Sequence, residues 1–123
     1  MMIRPMDLKG LPPTDFEPVA ELFVSPGTLR DHGIRFALGQ DDMDDYEFAS
    51  FLADGRGAFM LMRYLQSPSP NMSLLLADTF RRSATLAQTI SDIAGEFDGL
   101  VTGSRWREAG EEASLIFPEP VAE

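Results

Sequence analysis

Between positions 46 and 77, three apolar runs (46–53, 58–66 and 72–77) are separated by two segments of turn-forming residues, Asp54-Gly55-Arg56-Gly57 and Ser67-Pro68-Ser69-Pro70-Asn71. Runs of this length, rich in Phe, Leu and Met and bounded by Gly and Pro, read as strands. The Asp-Gly pair supplies the positive φ of a tight hairpin, and the two prolines force a wider second connection. The expectation is a three-stranded antiparallel meander whose spatial order follows the sequence. Alternation within the runs is weak: Tyr46, Phe48 and Leu52 oppose Ala49 and Phe51, and Phe59, Leu61 and Leu65 oppose Met60, Met62 and Tyr64. Both faces of such a sheet are apolar. One layer of helix covers only one face, which leaves the second for the N-terminal segment, a second copy or a partner.

The flanking sequence is expected to supply that helix. Leu86, Ile90, Ile93 and Phe97 recur at helical spacing with Ala87 and Ala94 beside them, which predicts an amphipathic helix over 83–98. Ser83 is the expected N-cap, with Asp78 capping any earlier start, and Gly99 suits the position after the last turn. Two strands are expected over 100–107 and 113–117, the latter ended by Pro118 and Pro120 ahead of a tail over 118–123. Five of the nine prolines fall in the first thirty residues, which argues against a long helix or a central strand there. Thr14 and Glu17 nevertheless have capping-box spacing, and Phe16, Val19, Ala20 and Phe23 form a stripe, so a short helix is expected over 15–23. Ser25-Pro26-Gly27 reads as a turn and 34–38 as a strand. The fold class expected is therefore α+β, with an antiparallel meander sheet of three to five strands, one main amphipathic helix on one face and a short N-terminal helix. A chain of 123 residues, 44% of them hydrophobic, suffices for one domain with one core. Its parts would be a proline-rich segment 1–30, strands within 34–77, the helix 83–98, the C-terminal strands 100–117 and the tail.

Twenty Asp and Glu against ten Lys and Arg give a net charge of −10, which opposes non-specific binding to nucleic acid or an anionic membrane. The excess is held in two blocks. Residues 41–58 carry six acids and one base, and residues 108–123 carry five acids and no base. No run approaches the roughly 18 apolar residues of a membrane span, and Arg4, Asp7 and Lys9 interrupt any signal-like core near the start, so a cytoplasmic location is expected. The absence of cysteine removes disulfides, thiolate metal sites and cysteine nucleophiles.

Few residues point to chemistry. His32, the only histidine, stands beside Asp31 as an acid–base pair would, yet no nucleophile motif or second histidine accompanies it, and an ordinary loop histidine is the plainer account. The run Asp41, Asp42, Asp44, Asp45 and Glu47 suggests a calcium loop, but Tyr46 stands where such a loop needs glycine. A solvated turn or an acidic face for a basic partner remains. Arg81 and Arg82, near the expected helix start, are candidate anion contacts without a glycine-rich phosphate loop. Arg105-Trp106-Arg107 has a basic-aromatic pattern, although strand periodicity puts Trp106 opposite both arginines and so in the core. No catalytic residue, metal or cofactor is assigned. The function expected is that of a non-enzymatic acidic module, of an inhibitor or immunity type, neutralising a basic protein partner. Its surface would combine Asp41, Asp42, Asp44, Asp45 and Glu47 with Glu108, Glu111 and Glu112. The alternative is a homodimeric α+β domain whose second sheet face forms the subunit interface or encloses a small apolar ligand.

Overall fold

The computed structural model describes residues 2–6, 15–42 and 44–117. Eight strands form one antiparallel sheet: β1 (Ile3–Pro5), β2 (Phe16–Leu22), β3 (Ala37–Gln40), β4 (Asp45–Ala53), β5 (Gly57–Tyr64), β6 (Met72–Ala77), β7 (Gly103–Glu108) and β8 (Glu111–Ile116). The order across the sheet is β1-β4-β5-β6-β2-β7-β8, and β3 also pairs with β4. Two helical segments interrupt the strands: α1 (Pro26–Asp31), and α2 (Leu86–Ala94) continued by a 3-10 turn over Gly95–Phe97.

The three apolar runs pair as β4–β5–β6 in sequence order, with Phe51 opposite Phe59 and Phe59 opposite Leu76. The expected fold class is wrong in its proportions. The sheet has eight strands rather than three to five, and the helix is not the main partner layer that was expected. Its cap is Thr85, whose hydroxyl accepts from the Gln88 N–H, so the helical run is twelve residues through Phe97. Ser83, the expected cap, is occupied otherwise: its N–H donates to Thr89 Oγ1 and its hydroxyl to Asp92.

The expected N-terminal helix over 15–23 is also corrected, because this segment is strand β2, inserted between β6 and β7. A proline in an interior strand removes a ladder hydrogen bond, and the pairing register shifts between Pro18 and Ala20, a bulge that accommodates it. Thr14, the expected cap, lies outside the described residues, as do Lys9 and the tail over 118–123. The turn expected at Ser25-Pro26-Gly27 is the start of α1, where the Ser25 hydroxyl accepts from the Thr28 N–H and Pro26 takes the first turn.

The core lies between one sheet face and the helices. Phe59, Leu61, Leu74, Leu76 and Leu22 are fully buried there against Ile90, Ile93, Leu29 and Val101. Each such side chain contributes about 1.5–3 kcal/mol relative to exposure. Phe51 stacks on Phe59 at 5.2 Å, and Phe97 meets both edge-on at 5.5 and 6.4 Å, which fixes the end of the helical run to the sheet centre. The opposite face is not bare: Phe48, Ser50, Ala58, Leu75 and Ala77 are buried, and Tyr46, Met60, Met62 and Tyr64 are half-buried.

Candidate functional site

Strand β4 is covered on its outer edge by two short strands in tandem. β3 pairs as far as Ala37 opposite Phe48, and β1 begins at Pro5 opposite Phe51. Ala49 and Ser50 therefore face a gap in the ladder, partly closed by the Met6 N–H donating to the Ser50 carbonyl at 2.9 Å. The gap opens into a cavity of about 390 Å³ lined by Pro5, Met6, Ile34, Ala37, Phe48 and Ser50, with Arg35 and Gly33 among the others. The break follows from the sequence. Three residues of β1 and four of β3 are too short to pair the nine residues of β4 between them.

The lining is mostly apolar, and one buried polar atom lies behind it. Ser50 is 5% exposed, and its Oγ has no hydrogen-bond partner among the described residues. A buried hydroxyl without a partner forfeits about 1–3 kcal/mol of solvation, so native structures rarely leave one unless something else meets it. Ser50 was not singled out from the sequence. Its signal there was weak: one hydroxyl inside the apolar run 48–53.

A second cavity of about 340 Å³ lies on the opposite sheet face, lined by Met60, Met62, Tyr46, Tyr64, Leu75 and Pro18 together with Asp41 and Ser73. Two of its polar groups are already engaged with each other. The Tyr64 hydroxyl donates to Asp41 Oδ2 at 2.5 Å, and that hydrogen bond to a carboxylate, with a small contribution from burial, raises the tyrosine pKa.

The structure separates the expected acidic surface. Asp41 and Asp44 build the β3–β4 turn: Asp41 Oδ1 accepts from the Asp44 N–H at 3.1 Å, and Asp44 Oδ1 from the Asp45 N–H at 2.7 Å. Asp42 and Asp45 are exposed, whereas Glu47 is 6% exposed and ion-paired with Arg30, with Arg63 at 3.9 Å. Glu108, Glu111 and Glu112 are exposed at the β7–β8 hairpin. Following the register, Asp45 pairs toward Tyr64, Met72, Leu22 and Ser104 at one end of the strands, and Glu108 lies at the other end, four strands away. The two blocks occupy diagonally opposite corners.

Arg81 and Arg82 are exposed before α2, not on its first turn, and Arg82 lies 3.5 Å from Glu17. The helix approach is organised instead by Arg56, which donates to the Arg81 carbonyl, to Ser83 and to Asp92. Burial raises the Asp92 pKa, but hydrogen bonds from Ser83, Gln88 and Arg56 outweigh it and hold the carboxyl below its ordinary value. His32 Nε2 is 3.0 Å from Asp98, not paired with Asp31, and both partners are exposed. Trp106 is buried, with Arg105 and Arg107 exposed. No three His, Asp or Glu among the described residues are placed to hold a metal ion, and no helix among them is long and apolar enough to cross a membrane.

Comparison with protein-family models, with curated proteins and with solved structures finds no match to this chain.

Proposed function

We propose that this protein is a binding domain for a small, largely apolar molecule, held in the edge cavity between β1 and β3. The observation that carries this reading is a cavity of about 390 Å³ with a mostly apolar lining, opened where the pairing along the edge of β4 breaks. Apolar walls with a few placed polar groups are the usual design of a small-molecule site, because the walls supply affinity and the polar groups orientation. A bound apolar molecule would fill a volume that packing leaves open. A basic protein partner, the first expectation from the charge, has less support. Glu47 is already neutralised by arginine, and the remaining carboxylates are divided between two corners. The homodimer expected through the second sheet face also has less support, since the centre of that face is buried within one chain. A cysteine-free chain needs no oxidising compartment for its stability, and a cytoplasmic location is carried as part of this proposal.

Titration of the isotope-labelled protein with hexanol tests the site. Amide shifts confined to residues 33–37 and 48–51 are expected, and they should vanish in Ala37→Phe, which places a ring in the cavity from an exposed position. No shift at saturating alcohol, or shifts centred on Met60 and Met62, would overturn the assignment.

A further inference from the structure

The second cavity, on the opposite sheet face, is lined by groups of a different kind. Independently of the edge cavity, we propose that it binds a small quaternary ammonium ion of the choline class, the methylated cation lying against the rings of Tyr46 and Tyr64 with its charge balanced by Asp41.

Strand pairing assembles the site. Tyr46 stands directly opposite Tyr64, and Met62 and Met60 follow at alternate positions of β5, so all four side chains share one sheet face. The two tyrosine rings meet edge to face at 6.0 Å and 79°. With Met60, Met62, Leu75 and Pro18 they line a volume of about 340 Å³, at the small end of the roughly 300–1,000 Å³ usual for ligand cavities. Tyr46, Met60, Met62 and Tyr64 are each only half-buried, so part of their surface is open to a ligand. Rings set at right angles form two walls of a cage, and N-methyl groups spread a positive charge over an apolar surface that ring faces and thioethers can meet. A neutral apolar ligand would find the same walls, and the charge of the lining decides between them. Asp41 is the one charged side chain among the described lining residues. The Tyr64 hydroxyl donates to it at 2.5 Å, which holds ring and carboxylate side by side. Asp44 and Asp45 belong to the same turn and add to the negative potential. Arginines on nearby strands are paired elsewhere, Arg63 with Glu47 and Arg105 with Glu21. An anion is therefore disfavoured by like charge. A hard inorganic cation needs several oxygen ligands, which thioethers and ring faces do not supply.

The test compares choline with neohexyl alcohol, which has the same shape with carbon in place of the charged nitrogen, at constant ionic strength. Choline should shift the amides of Asp41, Tyr46, Met60, Met62 and Tyr64 and bind about tenfold more tightly than the alcohol. Tyr64→Leu, which removes one ring, should lower choline affinity by about five- to tenfold. Asp41→Asn keeps an oxygen for the turn and removes the charge, so it should lower choline affinity by a similar factor and leave the alcohol unaffected. Equal affinity for choline and the alcohol would mean a neutral apolar cleft and overturn the assignment. Sodium shifting the same amides as strongly as choline would trace the binding to the carboxylate alone, with the same result. No choline-dependent shift at these residues would also overturn it, and would leave the hexanol result at residues 33–37 and 48–51 to stand or fall by itself.

Discussion

Single residues in this protein gain their meaning from how well they are satisfied. Leu74 and Ser50 are both buried, on the two strands that flank β5, but Leu74 is an apolar side chain in the core and the Ser50 hydroxyl has no hydrogen-bond partner among the described residues. Opposite consequences of truncation follow. Leu74→Ala loses transfer energy and leaves a cavity, at about 2–5 kcal/mol. Ser50→Ala removes a buried group that has forfeited its solvation, so it is expected to leave stability unchanged or raise it by up to about 1–2 kcal/mol in urea unfolding. A loss of stability comparable to the leucine variant would mean that the Ser50 hydroxyl makes an internal contact. Gly39 illustrates satisfaction of another kind. Tyr46 packs on its backbone so closely that an added Cβ would lie 2.6 Å from the ring, so an edge glycine without a side chain is covered by its cross-strand neighbour.

Among the elements, the middle of the sheet was legible from the sequence because the information there is local. Asp54-Gly55 and the Ser-Pro-Ser-Pro segment mark the turns, and the apolar runs between them can hardly be anything but paired strands. Strand β2 was not legible, for a physical reason. Phe16, Val19, Ala20 and Phe23 have helical spacing only because the bulge at Pro18 breaks the two-residue alternation, and a proline is seldom tolerated inside a sheet. The short edge strands were equally hidden, since three or four residues carry no periodicity and β4 supplies most of what holds them. β2 is held in place by a contact distant in sequence: Glu21 accepts from Ser69 at 3.0 Å, from Asn71 at 3.1 Å and from Arg105 at 2.5 Å. Burial pushes the Glu21 pKa up, but these three donors together pull it below the ordinary glutamate value. A carboxyl with a depressed folded pKa binds its proton less readily folded than unfolded. Its contribution is complete above the unfolded value of about 4.3 and is lost as pH falls through the lower folded value. Thermal midpoints should therefore drop between about pH 4.5 and pH 2, and Glu21→Gln should flatten that drop while lowering the midpoint at neutral pH. A variant with an unchanged acid limb would show that Glu21 does not lock β2 to β7.

For the whole molecule, the charge is the property the sequence reveals most plainly and explains least. Two blocks of acids can be counted from the sequence, but whether they share a surface depends on where β2 inserts, and that was the element hidden by its proline. With β2 between β6 and β7, the β3–β4 turn and the β7–β8 hairpin stand four strand spacings apart, about 19 Å across the sheet before any displacement along the strands. The Debye length at 0.1 M salt is about 10 Å, so exposed charges at the two corners barely sense each other. Within the hairpin the situation differs: Glu108 stands directly opposite Glu111, a like-charge pair that destabilises the ladder it sits in. Neutralising that pair as Glu108→Gln with Glu111→Gln is therefore expected to raise unfolding free energy by a few tenths of a kcal/mol to about 1 kcal/mol. Asp42→Asn with Asp45→Asn should act separately at its own corner. In a four-site variant the two effects should add to within about 0.5 kcal/mol, as they do for sites that share no partner. The measurement is urea unfolding of the parent protein, the two double variants and their combination at about 0.1 M salt. A coupling of about 1 kcal/mol or more would mean that the corners approach one another in solution and form one acidic surface. A basic protein partner would then regain the support that the sheet order removes from it.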